Sequence, residues 1–170
     1  MFDFTESIVI DAPHERVWKM LGHVDQWWLP SNPEHISLEH LDDRPATEVG
    51  ARLRIREKIG GIPGEAVGTI TMVEPGAAVT WEADATYRWL GVSVEIGEGV
   101  IWRVEPQSAS SAVVSARVWA TAPRGVLGRL AAFMFVHLLN GEAKDREHAR
   151  TELRYLKRTI GGARYGSSRR

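Results

Sequence analysis

The amino-acid sequence predicts an α+β domain in which one curved antiparallel sheet of about seven strands wraps a long C-terminal helix. Three observations predict it. A first alternating strand is followed by two short helical patterns. Residues 36–121 then read almost continuously as strands separated by turn residues. After Ala122-Pro123 the apolar period changes from two to three-and-four and keeps that spacing to Ile160. The element order is therefore β-α-α-β6-α.

Each element has its own warrant. Phe4, Glu6, Ile8 and Ile10 share one face of the first strand. Asp11-Ala12-Pro13 starts a helix, with Asp11 as cap and Pro13 in the first turn, and Val17, Trp18 and Leu21 form its apolar stripe. Gly22 ends it, a second helix covers Val24 to Trp28, and Pro30 and Pro33 force an extended exit. The strands are expected at 36–41, 51–59, 66–73, 78–89, 92–104 and 112–121. Gly60-Gly61, Pro75-Gly76, Gly91 and Pro106-Gln107-Ser108 are the expected turns, and such short connections imply an antiparallel meander. Gly97 and Gly99 within a strand predict a bulge or sharp bend. Leu127, Leu130, Ala131, Met134 and Leu138, then Ala149, Leu153, Leu156 and Ile160, form the final helix, with a break at Asn140-Gly141. One domain over 1–160 and a flexible tail over 161–170 are expected, with no repeat or linker.

Composition narrows the function. The 170 residues are 44% hydrophobic and 25% charged, with a net charge of −1, so neither disorder nor a global field toward nucleic acid is indicated. The absence of cysteine excludes disulfides, thiolate metal sites and cysteine nucleophiles. The N-terminus has no signal-peptide pattern, and the longest apolar stretch, Val126 to Leu139, carries Arg129 and His137. A cytoplasmic protein without an integral membrane segment, monomeric or homodimeric, is expected.

The run Ser7-Ile8-Val9-Ile10-Asp11-Ala12-Pro13-His14-Glu15-Arg16-Val17-Trp18-Lys19-Met20-Leu21 resembles the opening of the SRPBCC (START/Bet v 1-like) superfamily: strand, Ala-Pro, then a helix with Val-Trp and a following Leu. Val24-Asp25-Gln26-Trp27-Trp28-Leu29-Pro30 resembles its second helix and Trp-Pro exit, closest to the polyketide cyclase/dehydrase-like branch. The resemblance implies the helix-grip fold and a cavity between sheet and C-terminal helix. Relatives bind lipids, sterols or polyketides; some are cyclases, and others are regulators or chaperone cofactors. The matching residues are architectural, so they support the fold and not a chemistry.

Strand alternation nominates the cavity wall: Leu53, Ile55, Trp81, Ala83, Tyr87, Glu98, Val100, Trp102, Ala116 and Val118. The final helix adds Met134 and Leu138, and Trp28 is nominated with them; adjacent Trp27 and Trp28 are not expected to point inward together, so one of the two forms the lip of the entrance. Small residues beside flat aromatics leave space and offer polar tips. Three polar groups are weak catalytic candidates. An inward Glu98 would have a raised pKa and serve as acid or base, whereas a bulge between Gly97 and Gly99 would turn it to solvent. Tyr87 is a ligand donor or a rim residue, and His137 faces the cavity or is an ordinary core or surface histidine.

His35 and His40 lie on opposite strand faces, and no metal, phosphate or nucleotide motif is present, so no metal or cofactor is expected. Arg146, Arg150, Arg154 and Lys157 share a stripe interleaved with Glu142, Asp145, Glu147 and Glu152, a solvated helix face with no nucleic-acid partner. The leading expectation is a binder of a hydrophobic, lipid-, sterol- or polyketide-like small molecule. A cyclase- or dehydratase-like enzyme would need converging polar groups in the same cavity. A stress-response-type protein–protein module would expose an apolar patch at Trp27, Trp28 and Leu29.

Overall fold

The computed structural model describes residues 1–89, 91–121, 130 and 140–162. Seven strands form one sheet: β1 (Phe2–Ile10), β2 (His35–His40), β3 (Arg52–Ile59), β4 (Ile62–Glu74), β5 (Ala78–Trp89), β6 (Val92–Ser108) and β7 (Ser111–Ala120). Their spatial order is β1-β7-β6-β5-β4-β3-β2 and every pairing is antiparallel. Among the described residues the helices with defined bounds are α1 (His14–Leu21), α2 (Val24–Ser31) and α3 (Gly141–Gly162). This is the helix-grip arrangement. The first and second strands are the two edges, so α1 and α2 carry the chain from one edge to the other.

Alternation explains which face is buried. Leu53 and Ile55 of β3, Val79, Trp81 and Ala85 of β5, and Trp102 and Val104 of β6 are buried, while Arg52, Glu82, Asp84 and Glu105 are exposed. Val17 and Leu21 of α1, and Leu153, Leu156 and Ile160 of α3, pack onto this face. Burying such side chains contributes about 1.5–3 kcal/mol each.

Several local features differ from the sequence expectation. Helix α1 is capped by Pro13 in extended geometry with no side-chain cap, so Asp11 does not serve. Helix α2 runs through Pro30 to Ser31 rather than ending at Trp28; an exposed Pro in the last turn removes only one ladder donor. Strand β6 continues through Pro106 to Ser108, absorbed by a register shift, and the turn falls on Ala109-Ser110. No shift occurs at Gly97–Gly99, where the pairing stays regular; the others lie at His35/Ser37 and Ile70/Met72. The break at Asn140-Gly141 corresponds to the start of α3, with Asn140 at φ 53°.

The interior glycines serve close approach instead of bending. A Cβ on Gly68 would lie 2.4 Å from the Trp81 ring and 2.5 Å from the Glu82 carbonyl, and one on Gly99 would lie 2.2 Å from Trp119. These glycines let a neighbouring strand's indole lie across the backbone. Gly68→Ala is therefore expected to destabilise by about 1–3 kcal/mol, because a backbone atom blocks the new methyl group. Urea denaturation checks this, and an unchanged midpoint would contradict the notch.

Candidate functional site

Tryptophans wall the concave side. Trp28 meets Trp81 edge-to-face at 4.9 Å and Trp102 at 5.0 Å, and Trp27 meets Trp102 at 5.4 Å. Contrary to the expectation from adjacency, Trp27 and Trp28 are both buried. Helix α2 is covered on two flanks: the Trp27 indole donates to the Leu21 carbonyl at 3.2 Å, and Trp28 donates to Glu152 Oε1 of α3 at 3.0 Å. The indole N–H groups of Trp81 and Trp102 are buried and have no acceptor among the described residues. An unmet buried donor costs about 1–3 kcal/mol.

Among the described residues these rings border a cavity of about 60 Å³ between the sheet and α3. Of the residues nominated from sequence, Trp28, Trp81, Glu98, Val100, Trp102 and Val118 line it. Leu53, Ile55 and Ala116 are wholly buried in the core away from it. Ala83 pairs with Glu98 across β5 and β6, and Tyr87 stands behind Glu98. Met134, His137 and Leu138 lie outside the described residues. Glu57, Asp145, His148 and Glu152 also line the cavity and were not nominated. Their signal was available: Glu57 continues the inward phase of Leu53 and Ile55, and Asp145, His148 and Glu152 extend the Ala149/Leu153 stripe at helical spacing. The assignment of Asp145 and Glu152 to a solvated face is thus corrected, since both are buried. Outside, Arg146 and Arg150 pair with Glu6, and Arg154 with Glu147.

Glu98 faces inward and is half-buried, its Oε2 accepting a hydrogen bond from the Tyr87 hydroxyl at 2.9 Å. Burial, reinforced by the negative charge of Glu57, pushes its carboxyl up to about 8 against the partial relief from Tyr87. Burial likewise pushes Asp145 up to about 7, although nearby His148 counteracts it. Burial and the neighbouring Glu98 charge raise the Tyr87 phenol, which remains a donor. The site therefore holds two carboxyls able to gain or lose a proton near neutrality.

Behind this wall lies a second group. His35 of β2 does not pair with His40, whose ring turns to Asp25 at 3.4 Å; its partner is His148, on α3. The two Nε2 atoms are 2.9 Å apart, and Glu57 Oε2 lies 3.4 Å from each. Glu152 Oε1 lies 3.2 Å from His35 Nε2 and 3.6 Å from His148 Nε2. The other ring nitrogens face acceptors: His35 Nδ1 the Trp28 carbonyl at 2.8 Å, and His148 Nδ1 the Glu34 carboxylate at 3.3 Å. Burial opposes charge on His35, but Glu152 and Glu57 outweigh it and lift the ring to about 10. Burial also opposes charge on His148, and Glu57 lifts it. Burial would raise Glu57, yet His148 and His35 hold it down to about 2. The carboxylates favour protons on both rings, but a 2.9 Å separation admits only one between the facing nitrogens. The sequence expectation of no metal rests on His35 beside His40; the structure instead brings ligand atoms of His35, Glu57 and His148 within 4.8 Å of one another, close enough to hold an ion.

Residues 1–160 match the family described as polyketide cyclase/dehydrase and lipid transport. The chain belongs to this family. No curated protein sequence matches it. Among solved structures, a conserved protein from Geobacillus kaustophilus is similar at TM-score 0.67 and 13% identity, covering 95% of this chain and 97% of its own. The Zhui aromatase/cyclase from a Streptomyces species is similar at TM-score 0.61 and 13% identity, covering 95% and 97%. Ara h 8.0201 is similar at TM-score 0.60 and 11% identity, covering 94% and 97%. At these identities the likeness shows that this family member shares their fold. Among the described residues no helix is long and apolar enough to cross a membrane.

The raised carboxyls set a pH dependence for this family member. Glu98 binds its proton more tightly when folded than at its ordinary value of 4.5. Its stabilising contribution is therefore complete below 4.5 and gone once pH has risen through about 8. Asp145 acts in the same direction between 3.8 and about 7. The Tm is expected to fall from about pH 5.5 to about pH 8.5, and Glu98→Gln to make that fall shallower. Identical profiles for the two proteins would remove Glu98 from the account.

Proposed function

We propose that this protein binds an apolar small molecule carrying oxygen functions and transfers protons on it, as a cyclase or dehydratase does. One observation carries the reading: Glu98 and Asp145 line the same tryptophan-walled cavity. A carrier needs an apolar cavity with one or two polar anchors. Glu57, Glu98, Asp145, His148 and Glu152 all border this one, which favours reaction over carriage. Family membership supports a hydrophobic ligand, and the indole N–H groups of Trp81 and Trp102 suit its oxygen atoms. Sites for whole drug-sized molecules run to about 300–1,000 Å³. The 60 Å³ bordered by the described residues therefore takes the reacting end of the ligand.

In this reading protonated Glu98 is the general acid. It gives its proton to a ligand carbonyl or leaving hydroxyl oxygen, and the Tyr87 hydroxyl stabilises the carboxylate left behind. Asp145 is the candidate acceptor of a carbon-bound proton, after which the two carboxyls have exchanged states. The interaction-module reading loses its support, because Trp27 and Trp28 are buried and present no exposed patch.

Native mass spectrometry before and after organic extraction tests binding; a co-purified apolar molecule that extraction removes is expected. Titrated back by tryptophan fluorescence, it should bind Glu98→Gln and Tyr87→Phe about 10-fold or more weakly if those groups hold its oxygen. Turnover, followed by mass change, should decline as pH rises through about 8, where the acid form of Glu98 is lost. Retention with undiminished affinity in both variants and no mass change would leave a carrier and defeat the proposal.

A further inference from the structure

The histidine pair poses a problem that the ligand reading does not solve. Two imidazoles whose Nδ1 atoms face a carbonyl and a carboxylate carry protons there, so the facing Nε2 atoms share either a single proton or a larger cation. Those two nitrogens meet at 2.9 Å in a buried place, beside a Glu57 oxygen 3.4 Å from each. Three potential donor atoms held this close to one another can converge on one metal ion in place of the shared proton. Acceptors on the far ring nitrogens are also what orients histidines toward a metal.

The dimensions fit an ion. Separations of 2.9, 3.4 and 3.4 Å place the three atoms on a circle of radius about 1.9 Å. An ion at the usual 2.0–2.1 Å from nitrogen and oxygen then sits just off their plane, with Glu152 Oε1 a further oxygen 3.2 and 3.6 Å from the two nitrogens. The supports are built in: Asn32 donates to the His148 carbonyl at 3.3 Å, and the Gly60 and Gly61 amides hold the Glu34 carboxylate. Trp28 fixes Glu152 Oε1 next to both rings. The side chain of His35 is fully buried and that of His148 nearly so, so the site would be dry and shaped.

We infer that His35, His148 and Glu57 form a binding site for one divalent first-row transition ion, Zn²⁺ by its donor set. Two imidazoles and one carboxylate are a recurrent zinc donor set, and Fe²⁺ accepts the same donors. Glu57 and His148 also line the cavity, so the ion would border the space assigned to the ligand and could polarise a ligand oxygen. The site stands on its own geometry and not on the proton-transfer reading.

The test uses the full chain, stripped with chelator and titrated calorimetrically with ZnCl₂, then with CoCl₂ followed by visible absorption. One equivalent of Zn²⁺, a low-coordinate Co²⁺ spectrum and a Tm that rises with free zinc are expected. His35→Ala and His148→Ala should each weaken binding by about 100-fold or more, and Glu34→Gln by about 10-fold. His14→Ala and His40→Ala should leave it unchanged. Absence of saturable equimolar binding by the unmutated protein would overturn the inference whether or not any variant folds, and would leave a proton-sharing pair. Binding that survives loss of His148 in a variant that retains its fold would also overturn it. A ligand that binds and turns over in metal-free protein would spare the proposed function while this site failed.

Discussion

The contact between His35 and His148, with the carboxylates gathered around it, is the constraint on which the rest of the interior depends. It joins the start of β2, the inward end of β3, and the first turns of α3, while Trp28 brings in α2. Apolar surfaces tolerate sliding, whereas a buried charge is costly by several kcal/mol unless its partners are correctly placed. Every side chain in the group has such a partner: a carbonyl for His35, a carboxylate for His148, an indole for Glu152. The helix is thereby fixed in rotation and height against one edge of the sheet. Positional specificity, more than net stability, is what a buried polar group of this kind confers.

The tryptophans occupy much of the interior that the described residues enclose. Their edge-to-face contacts spread from Trp27 through Trp102 and Trp28 to Trp81, joining α2 to the middle of the sheet. Gly68 is the counterpart on the backbone, since the Trp81 ring occupies the volume that a side chain there would need. Among the described residues the cavity is bordered by the indoles of Trp28, Trp81 and Trp102 and by the ionisable side chains of Glu57 on β3 and Asp145, His148 and Glu152 on α3.

The sheet was legible because burial on one face writes a period of two into the sequence, as in Val79, Trp81, Ala83, Ala85 and Tyr87 against Glu82, Asp84 and Arg88. The inward orientation of Glu98 followed from the same phase, and the flanking glycines misled only about a bulge. His35 was opaque for another reason. Its partner lies 113 residues away, and nothing local in β2 points to α3. On α3 itself, Asp145, His148 and Glu152 looked like solvent-facing residues because charge normally marks the outer side of a helix. Here the apolar stripe changes character midway along the same face, and periodicity would have revealed this had chemistry been ignored. Trp27 and Trp28 were misjudged because a helix bounded on two sides can bury neighbouring positions that a one-sided helix cannot.

That change of character along α3 divides the helix into two unlike halves. From Asp145 to Glu152 its inner face is held by directional contacts, and from Leu153 to Ile160 by apolar packing. Apolar packing in the second half does not depend on ionisation. The contacts of the first half are made by titratable groups. Amide hydrogen exchange would therefore report two separate opening events in one continuous helix, the N-terminal one answering to solution chemistry and the C-terminal one to temperature and denaturant. One helix thus presents titratable groups to the interior at one end and aliphatic ones at the other.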